Sequence, residues 1–520
     1  MPSHNGFWRT LGFPSDPVGL AARGTARVPE RFRTVGIVIG RVTVMASSIV
    51  AVRIYTELLV PLEVGRMNLV LSIFQWFGMI FVSPVGLFVM RHSNSWDVDG
   101  TLRQNLRRLT IYLSLVACVA GVAVAGWQTA VGWGIGMSRT WLAWLVGGQL
   151  FLMVISGTNA GVLNNLGRSW WFVALGNVAA WLGLGFATIL CLRYARQAEY
   201  WLTGLLCGQA VAWAMSLRVL AKASGARDRR EPDLKPNTPF ALRPLWEFAS
   251  PIVPITLAYW CQTDGFRFVL QWHVGTSQLG VFLVGIALGG APVLAVERLL
   301  VDLLSPAYYR QLASKDLTTM KVAWEEYVRR LLPAALICVT FSASSGLLLS
   351  RFLLSQKYQS VAVYAAYGAL FRGCFVAIGP FLLWTHAIER TRSPMIAYFV
   401  GAAVALIGVA AIGNLSGMHG AGVALVVSAA CTLALIAFQM RRSYSLAIPW
   451  RALMRASLFA CPLLVGAPLL GARARSASLG WAIVALAVPV VYCLAGAAVF
   501  AEVVPIRRDI LRWIDRFRQA

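Results

Sequence analysis

Apolar residues fall in long runs along this chain, separated by short polar gaps. Runs near 20 residues match the ~30 Å of hydrocarbon that a membrane helix must cross. Fourteen such spans are predicted, at about 36–56, 67–90, 109–131, 141–163, 170–192, 200–220, 246–270, 279–304, 331–350, 358–384, 394–413, 419–440, 453–470 and 479–504. The first is interrupted or bordered by Arg41, Arg53 and Glu57, and the thirteenth contains Pro462 and Pro468, so the pattern allows a count from twelve to fourteen. No continuous apolar h-region of a secretory signal precedes them; the first span is expected to serve as insertion signal and permanent helix.

Composition makes a soluble fold untenable. Of 520 residues, 58% are hydrophobic and 13% charged, with a mean hydropathy of +0.67. A soluble chain carries roughly 25% charged residues, enough to cover its surface. The formal net charge of +25 would suit nucleic acid only on a folded basic face. Instead the positive charge sits between apolar runs, as in a polytopic membrane protein, and no nucleic-acid partner is expected.

Cytoplasmic loops retain Lys and Arg, and this rule orients the chain. With fourteen spans, 33 of the 46 basic residues lie on the side carrying both termini (Arg218 and Arg455, at the span ends that face it, among them), 8 lie on the other, and five lie deeper within spans. Both termini are therefore expected in the cytoplasm. The expected organisation is a basic cytoplasmic N-terminus (1–35), an N-lobe of six helices (36–220) and a cytoplasmic linker (221–244). A C-lobe of helices seven to twelve (245–440), helices thirteen and fourteen (441–504) and an amphipathic cytoplasmic tail (505–520) follow. The linker, rich in Pro, Gly and charge, reads either as a tether between rocking lobes or as an ordinary long loop. The tail places Ile510, Trp513, Ile514 and Phe517 on one helical face, suited to membrane lipid, with Arg for anionic headgroups.

A weak internal repeat fits two lobes. Arg53 precedes Gly65 by twelve residues and Arg267 precedes Gly280 by thirteen, each Arg near an outer span end and each Gly opening the next span. Two similar halves with a substrate site between them are a common transporter plan.

Ionisable groups within spans cost several kcal/mol unless paired or hydrated, so they mark candidate sites. Arg372 is the most deeply placed cation; it reads as facing a water-filled cavity or as paired with a carboxylate of another helix. Asp264 and Arg267 stand at i, i+3, and Arg298 and Asp302 at i, i+4, spacings that allow same-face ion pairs. Glu297 has no partner at such a spacing and is a candidate coupling group. Arg41 and Arg53 need not share a helix face, and Arg53 is near enough to an interface to snorkel.

Other chemistry finds little support. The nine cysteines lie in apolar stretches without metal-ligand spacing, and the five histidines form no ligand pair, so no metal or other cofactor is expected. A phosphate-cradling Gly-x-x-x-x-Gly-Lys-Ser/Thr loop is absent. Outer loops of about ten residues or fewer leave little room for the extramembrane catalytic loop of a glycan polymerase or transferase. Trp260 and Trp384 read as packing or interface residues, or as platforms for a sugar ring.

The segment "RIYTELLVPLEVGRMNLVLSIFQWF" resembles the first-loop signature of polysaccharide flippases, and "FASPIVPITLAYWCQTDGFRFVLQWHVGTSQLGVFLVGIALGGAPVLAVERLLVDLLSPAYYRQL" resembles their second-half signature. The family's adjacent Asp-Arg is split here as Asp264-Gly265-Phe266-Arg267, and its Thr-Pro-Glu is altered around Pro61 and Glu63. The family belongs to the multidrug/oligosaccharidyl-lipid/polysaccharide exporter superfamily. The resemblance implies an all-α fold of two six-helix lobes plus two C-terminal helices. It also implies a transporter, not an enzyme, that sits in a bacterial inner membrane and moves an undecaprenyl-diphosphate-linked oligosaccharide outward by alternating access, with polysaccharide polymerase or export partners. Arg41, Arg53, Arg267, Arg298 and Arg372 would bind the diphosphate, and Glu297, Asp264 and Asp302 would couple an ion. The competing function is an ion-coupled small-molecule antiporter of the same superfamily.

Overall fold

A computed structural model describes residues 30–501 apart from 132–134, 167, 225–244, 247–248, 251, 313–315, 389–391 and 475–478. Most of the expected linker, the first 29 residues of the N-terminal segment and the tail at 505–520 lie outside the described residues. Among the described residues the chain is helical and has no strand. Before the linker run α1 (Glu30–Leu58), α2 (Pro61–Phe77), a π-helical turn (Gly78–Val82), α3 (Ser83–Val98), α4 (Leu102–Val131), α5 (Arg139–Asn165), α6 (Ser169–Arg193) and α7 (Ala198–Ser224). After it come α8 (Val253–Trp260), a second π-helical turn (Cys261–Gly265), α9 (Phe266–Leu312), α10 (Leu317–Ser344), α11 (Gly346–Leu353), a 3-10 turn (Gln356–Val361), α12 (Ala362–Ala387), α13 (Met395–Tyr444), α14 (Trp450–Ala474) and α15 (Leu479–Ala501).

The helices bury one apolar face and expose another. On α4, Leu109, Leu113, Ala117, Ala120 and Val124 are buried, whereas Ile111, Leu115, Val119 and Val122 are exposed. Both sets follow the helical period, so one stripe packs on neighbours and the other is apolar surface suited to lipid. Polar side chains inside the bundle pair across helices: Ser156 Oγ of α5 donates to Gln209 Oε1 of α7 at 2.7 Å, and Asn159 Nδ2 donates to Ser216 Oγ at 2.9 Å.

Ten described helical segments are long and apolar enough to cross a membrane, or eleven if the bent pair α10–α11 (71°) is one span. The protein is thus a multi-pass membrane protein with fewer separate helical segments, among the described residues, than the fourteen runs expected from sequence. Part of the difference is fusion. Expected spans 246–270 and 279–304 join as Val253–Val301, and 394–413 and 419–440 join as Met395–Tyr444. A straight helix of the latter's 50 residues would be about 75 Å long, far beyond one bilayer. Gly417 (φ 58°, ψ −138°) breaks it, and the chain doubles back there: a Cβ on Gly420 would lie 2.3 Å from Ile412 O, and one on Gly408 3.0 Å from Ala424 Cβ. Gly275 (φ 80°, ψ 164°) breaks α9 likewise. The charged first run forms α1 but is not among the ten.

Contacts between the helices before and after the linker run mainly through α2 against α9. A Cβ on Gly65 would lie 2.1 Å from Thr276 O, and one on Gly280 would lie 2.0 Å from Pro61 O and 2.8 Å from Gly65 N. The two glycines of the internal repeat therefore face each other where the halves meet. "Outer" below is a label for this end, which also carries the turns at 59–61, 194–197 and 275, after the side expected for it from the loop charges.

Candidate functional site

The second π-helical turn precedes α9 and inserts an extra residue into the helical ladder, a feature frequent at functional sites. It presents the buried Asp264, whose Oδ1 accepts from Arg267 Nη2 at 2.9 Å. Arg267 also donates through Nη1 to Ser72 Oγ (3.0 Å) and Asn68 O (3.3 Å) of α2. Arg267 thus ties the second half to the first. Trp260 Nε1 adds a bond to Ser72 O at 2.9 Å, and Thr256 Oγ1 one to Met79 O, in the first π-helical turn, at 3.2 Å.

Deeper in α12, Arg372 Nη2 donates to Glu297 Oε2 of α9 at 3.0 Å. The partner that sequence spacing did not supply for Glu297 comes from another helix. Both side chains keep partial solvent access, 26% for Arg372 and 21% for Glu297, and Arg372 Nε has no hydrogen-bond partner. The Tyr259 hydroxyl stands beside Arg372, and the charges of Asp264 and Glu297 also reach it. Tyr259, Asp264, Arg267, Glu297 and Arg372 therefore form one electrostatic group. It can act on an anion in one way: a guanidinium released from its carboxylate offers a two-pronged donor to phosphate. It can act on a cation through the carboxylates.

The remaining candidates lie elsewhere. Arg53 donates to Leu354 O, across the halves, and pairs with Glu57 at 3.4 Å on an exposed stretch. Each repeat arginine thus reaches into the opposite half. Around Arg53, Ser355 Oγ donates to Thr56 O (2.7 Å), Lys357 Nζ to Glu57 O (3.3 Å) and Tyr358 Oη to Leu59 O (3.2 Å). These bonds close the outer end of the bundle. Arg298 is exposed and adjacent to Glu297; the side chains of Arg41 and Asp302 lie outside the described residues. Trp260 and Trp384 are in packed surroundings, Trp384 fully buried against Trp324 and Tyr444. Among the described residues no group of His, Cys, Asp and Glu could hold a metal ion.

Sequence reasoning missed two features. One is Tyr259, which carries no charge to attract notice in an apolar run. The other is a buried carboxylate cluster, Glu63 with Arg66 and Glu199, split between two span ends 136 residues apart (63 to 199). The i, i+3 spacing of Glu63 and Arg66 was its one visible signal.

No family model matches the chain, and no curated protein matches it. Solved structures do. A lipid II flippase MurJ in an inward closed conformation superposes with a TM-score of 0.59 at 12% identity, covering 91% of this chain and 99% of that one. An inward-facing multidrug resistance MATE family transporter of the MOP superfamily gives 0.54 at 13% identity, over 78% and 98%. A mutant of the Vibrio cholerae MATE transporter VcmN gives 0.52 at 12% identity, over 80% and 97%. The chain shares the fold of this flippase and of these transporters.

Proposed function

We propose that the protein is a flippase that carries an undecaprenyl-diphosphate-linked oligosaccharide from the inner to the outer leaflet for surface polysaccharide synthesis. The observation that carries this reading is the half-open Arg372–Glu297 pair, set in a fold shared with a lipid II flippase along most of the chain. A diphosphate needs cations in a low-dielectric cavity, and a guanidinium held by one carboxylate stays charged within a net-neutral pair until a stronger anion displaces the carboxylate. The substrate diphosphate takes the Arg372 guanidinium from Glu297. Glu297, left unpaired, gains a proton or a coupling ion. Reversal of that exchange on the other side returns the arginine to Glu297 and expels the lipid. Arg267 and Arg53 act at the joint between the two lobes, which rock about the 221–244 linker.

A second reading, an ion-coupled small-molecule antiporter, draws support from the likeness to MATE transporters and from the carboxylates beside both arginines. One experiment separates the two. The protein is placed in proteoliposomes with a fluorescent undecaprenyl-diphosphate oligosaccharide, and arrival in the outer leaflet is read with an externally added lectin. Arg372→Ala is expected to slow translocation about 10- to 100-fold, the value of one lost charge-assisted contact of roughly 1.5–3 kcal/mol. Glu297→Gln is expected to bind the lipid diphosphate more tightly, because the competitor for Arg372 is gone. Unchanged translocation in Arg372→Ala refutes the flippase reading. Loss of cationic-drug binding in Glu297→Gln, with no effect on the lipid, favours the antiporter.

A further inference from the structure

A second charged cluster lies at the outer end of the first half, apart from the site above. Glu63, in the first turn of α2, is 5% exposed. Its Oε1 accepts from Arg66 Nη1 at 2.6 Å and its Oε2 accepts the backbone N–H of Ala198 at 2.9 Å, where α7 begins. The Arg66 guanidinium lies against the α4–α5 turn: a Cβ on Gly136 (φ 78°) would stand 2.4 Å from Nη2. Beside Ala198 sits Glu199, 8% exposed, whose carboxyl group feels the charges of both Glu63 and Arg66. Glu199 Oε2 has no hydrogen-bond partner, and neither has Arg66 Nε.

Two buried carboxyl groups therefore lie within electrostatic reach of one guanidinium, which is paired with Glu63. Glu63 has both oxygens satisfied and holds the negative charge that Arg66 balances. An ionised Glu199 would leave Oε2 a bare buried anion beside another carboxylate, at a cost of several kcal/mol; a proton on it removes that charge. The opposing influence is a backbone hydrogen bond at Glu199, in the first turn of α7, where the helix dipole favours an anion. Ionisable side chains on the flanking residues are Arg196, in the turn before α7, and Tyr200, stacked on Tyr194 (5.6 Å), while Tyr55 of α1 packs on Trp201 (6.0 Å).

We propose that Glu199 is a proton-binding site opening to the outer aqueous phase, with Glu63 and Arg66 as its switch. When the Glu199 O–H gives its proton to water, the new carboxylate takes a share of Arg66 from Glu63. Glu63 and Arg66 flank Gly65, on which the Thr276 carbonyl of α9 rests. A change in their pairing therefore acts directly on the contact that joins the two halves at the outer end, so proton release is coupled to its opening.

The test uses the full chain in lipid nanodiscs and infrared difference spectroscopy across a pH jump. The expected result is a protonated-carboxyl band that titrates in the wild type and is absent in Glu199→Gln. In Glu63→Gln, which keeps Glu199, the neighbouring negative charge is gone and Arg66 is free, so the apparent proton affinity of Glu199 falls about tenfold or more. Because that second variant leaves Glu199 in place, a folding defect in Glu199→Gln does not spare the proposal. The proposal is overturned if the band persists in Glu199→Gln or does not move in Glu63→Gln. It is also overturned if sodium, in place of choline, raises the melting temperature of the wild type but not of Glu199→Gln, which would make the site a metal-cation site.

Discussion

Replacing Gly280 with alanine probes the joint between the halves directly. The added Cβ would sit 2.0 Å from Pro61 O, and ordinary contact begins at 3.4 Å, so α2 and α9 must part by about 1.4 Å there. Overpacking of this kind costs typically 1–3 kcal/mol. The same displacement strains the neighbouring bonds of Arg267 and Trp260 to Ser72 (3.0 and 2.9 Å), each worth about 1 kcal/mol. A total near 3 kcal/mol falls on the closed outer end alone, because separating the halves relieves it, and it shifts the closed-to-open ratio by about 100-fold. Spin labels at the exposed positions Tyr194 and Trp272 (68% and 89% exposed), one in each half, read the separation by electron-spin-resonance distance measurement in a background lacking native cysteines. Gly280→Ala is expected to move the distribution to longer distances. Gly86→Ala, which meets nothing within 4 Å, leaves it in place. An unchanged distribution in Gly280→Ala, with an unchanged melting temperature, would refute the claim that close backbone approach holds the outer end shut.

Two further predictions follow from local geometry. Gly417→Ala puts a side chain at φ 58°, ψ −138° with no neighbour within 4 Å, so its cost, about 1–3 kcal/mol, is conformational and appears as a lower melting temperature; a melting temperature equal to wild type would contradict the bend. Asp316 caps α10, accepting from the Thr319 hydroxyl (2.6 Å) and from the Thr319 and Thr318 amides (2.8 and 3.3 Å), and these bonds hold its carboxyl below the usual carboxylate range. A depressed folded-state pKa means that the cap is intact above the ordinary carboxylate pKa and is lost as pH falls through the folded value. Hydrogen exchange at residues 318–320 should therefore show protection that fades with acid in the wild type and is weak at every pH in Asp316→Ala; protection independent of pH would count against the cap.

Much of the fold was legible because the bilayer imposes a simple code. Apolar runs became helices, and the weakness of the first run, with Arg41, Arg53 and Glu57, reappeared as a helix outside the ten apolar segments. The spacing of Asp264 and Arg267 allowed a same-face pair, and the pair forms at 2.9 Å, since i, i+3 geometry is local. The bends were legible as well: the expected gaps at 271–278 and 414–418 contain Gly275 and Gly417, where the two long helical segments break, although the structure carries helical hydrogen bonding across both.

The sequence by itself determined that this chain is a multi-pass membrane protein, which residues are apolar enough to lie in lipid, and which few charges are left among them. Those properties follow from composition and period, and need no knowledge of neighbours. Only the tertiary structure decided what those charges do. Arg372 meets Glu297 across 75 residues of sequence, Arg267 turns to α2 as well as to Asp264, and Glu63 fastens the start of α7. A buried charge takes whatever partner the packing brings within about 3 Å, and packing between distant helices leaves no period in the sequence to read.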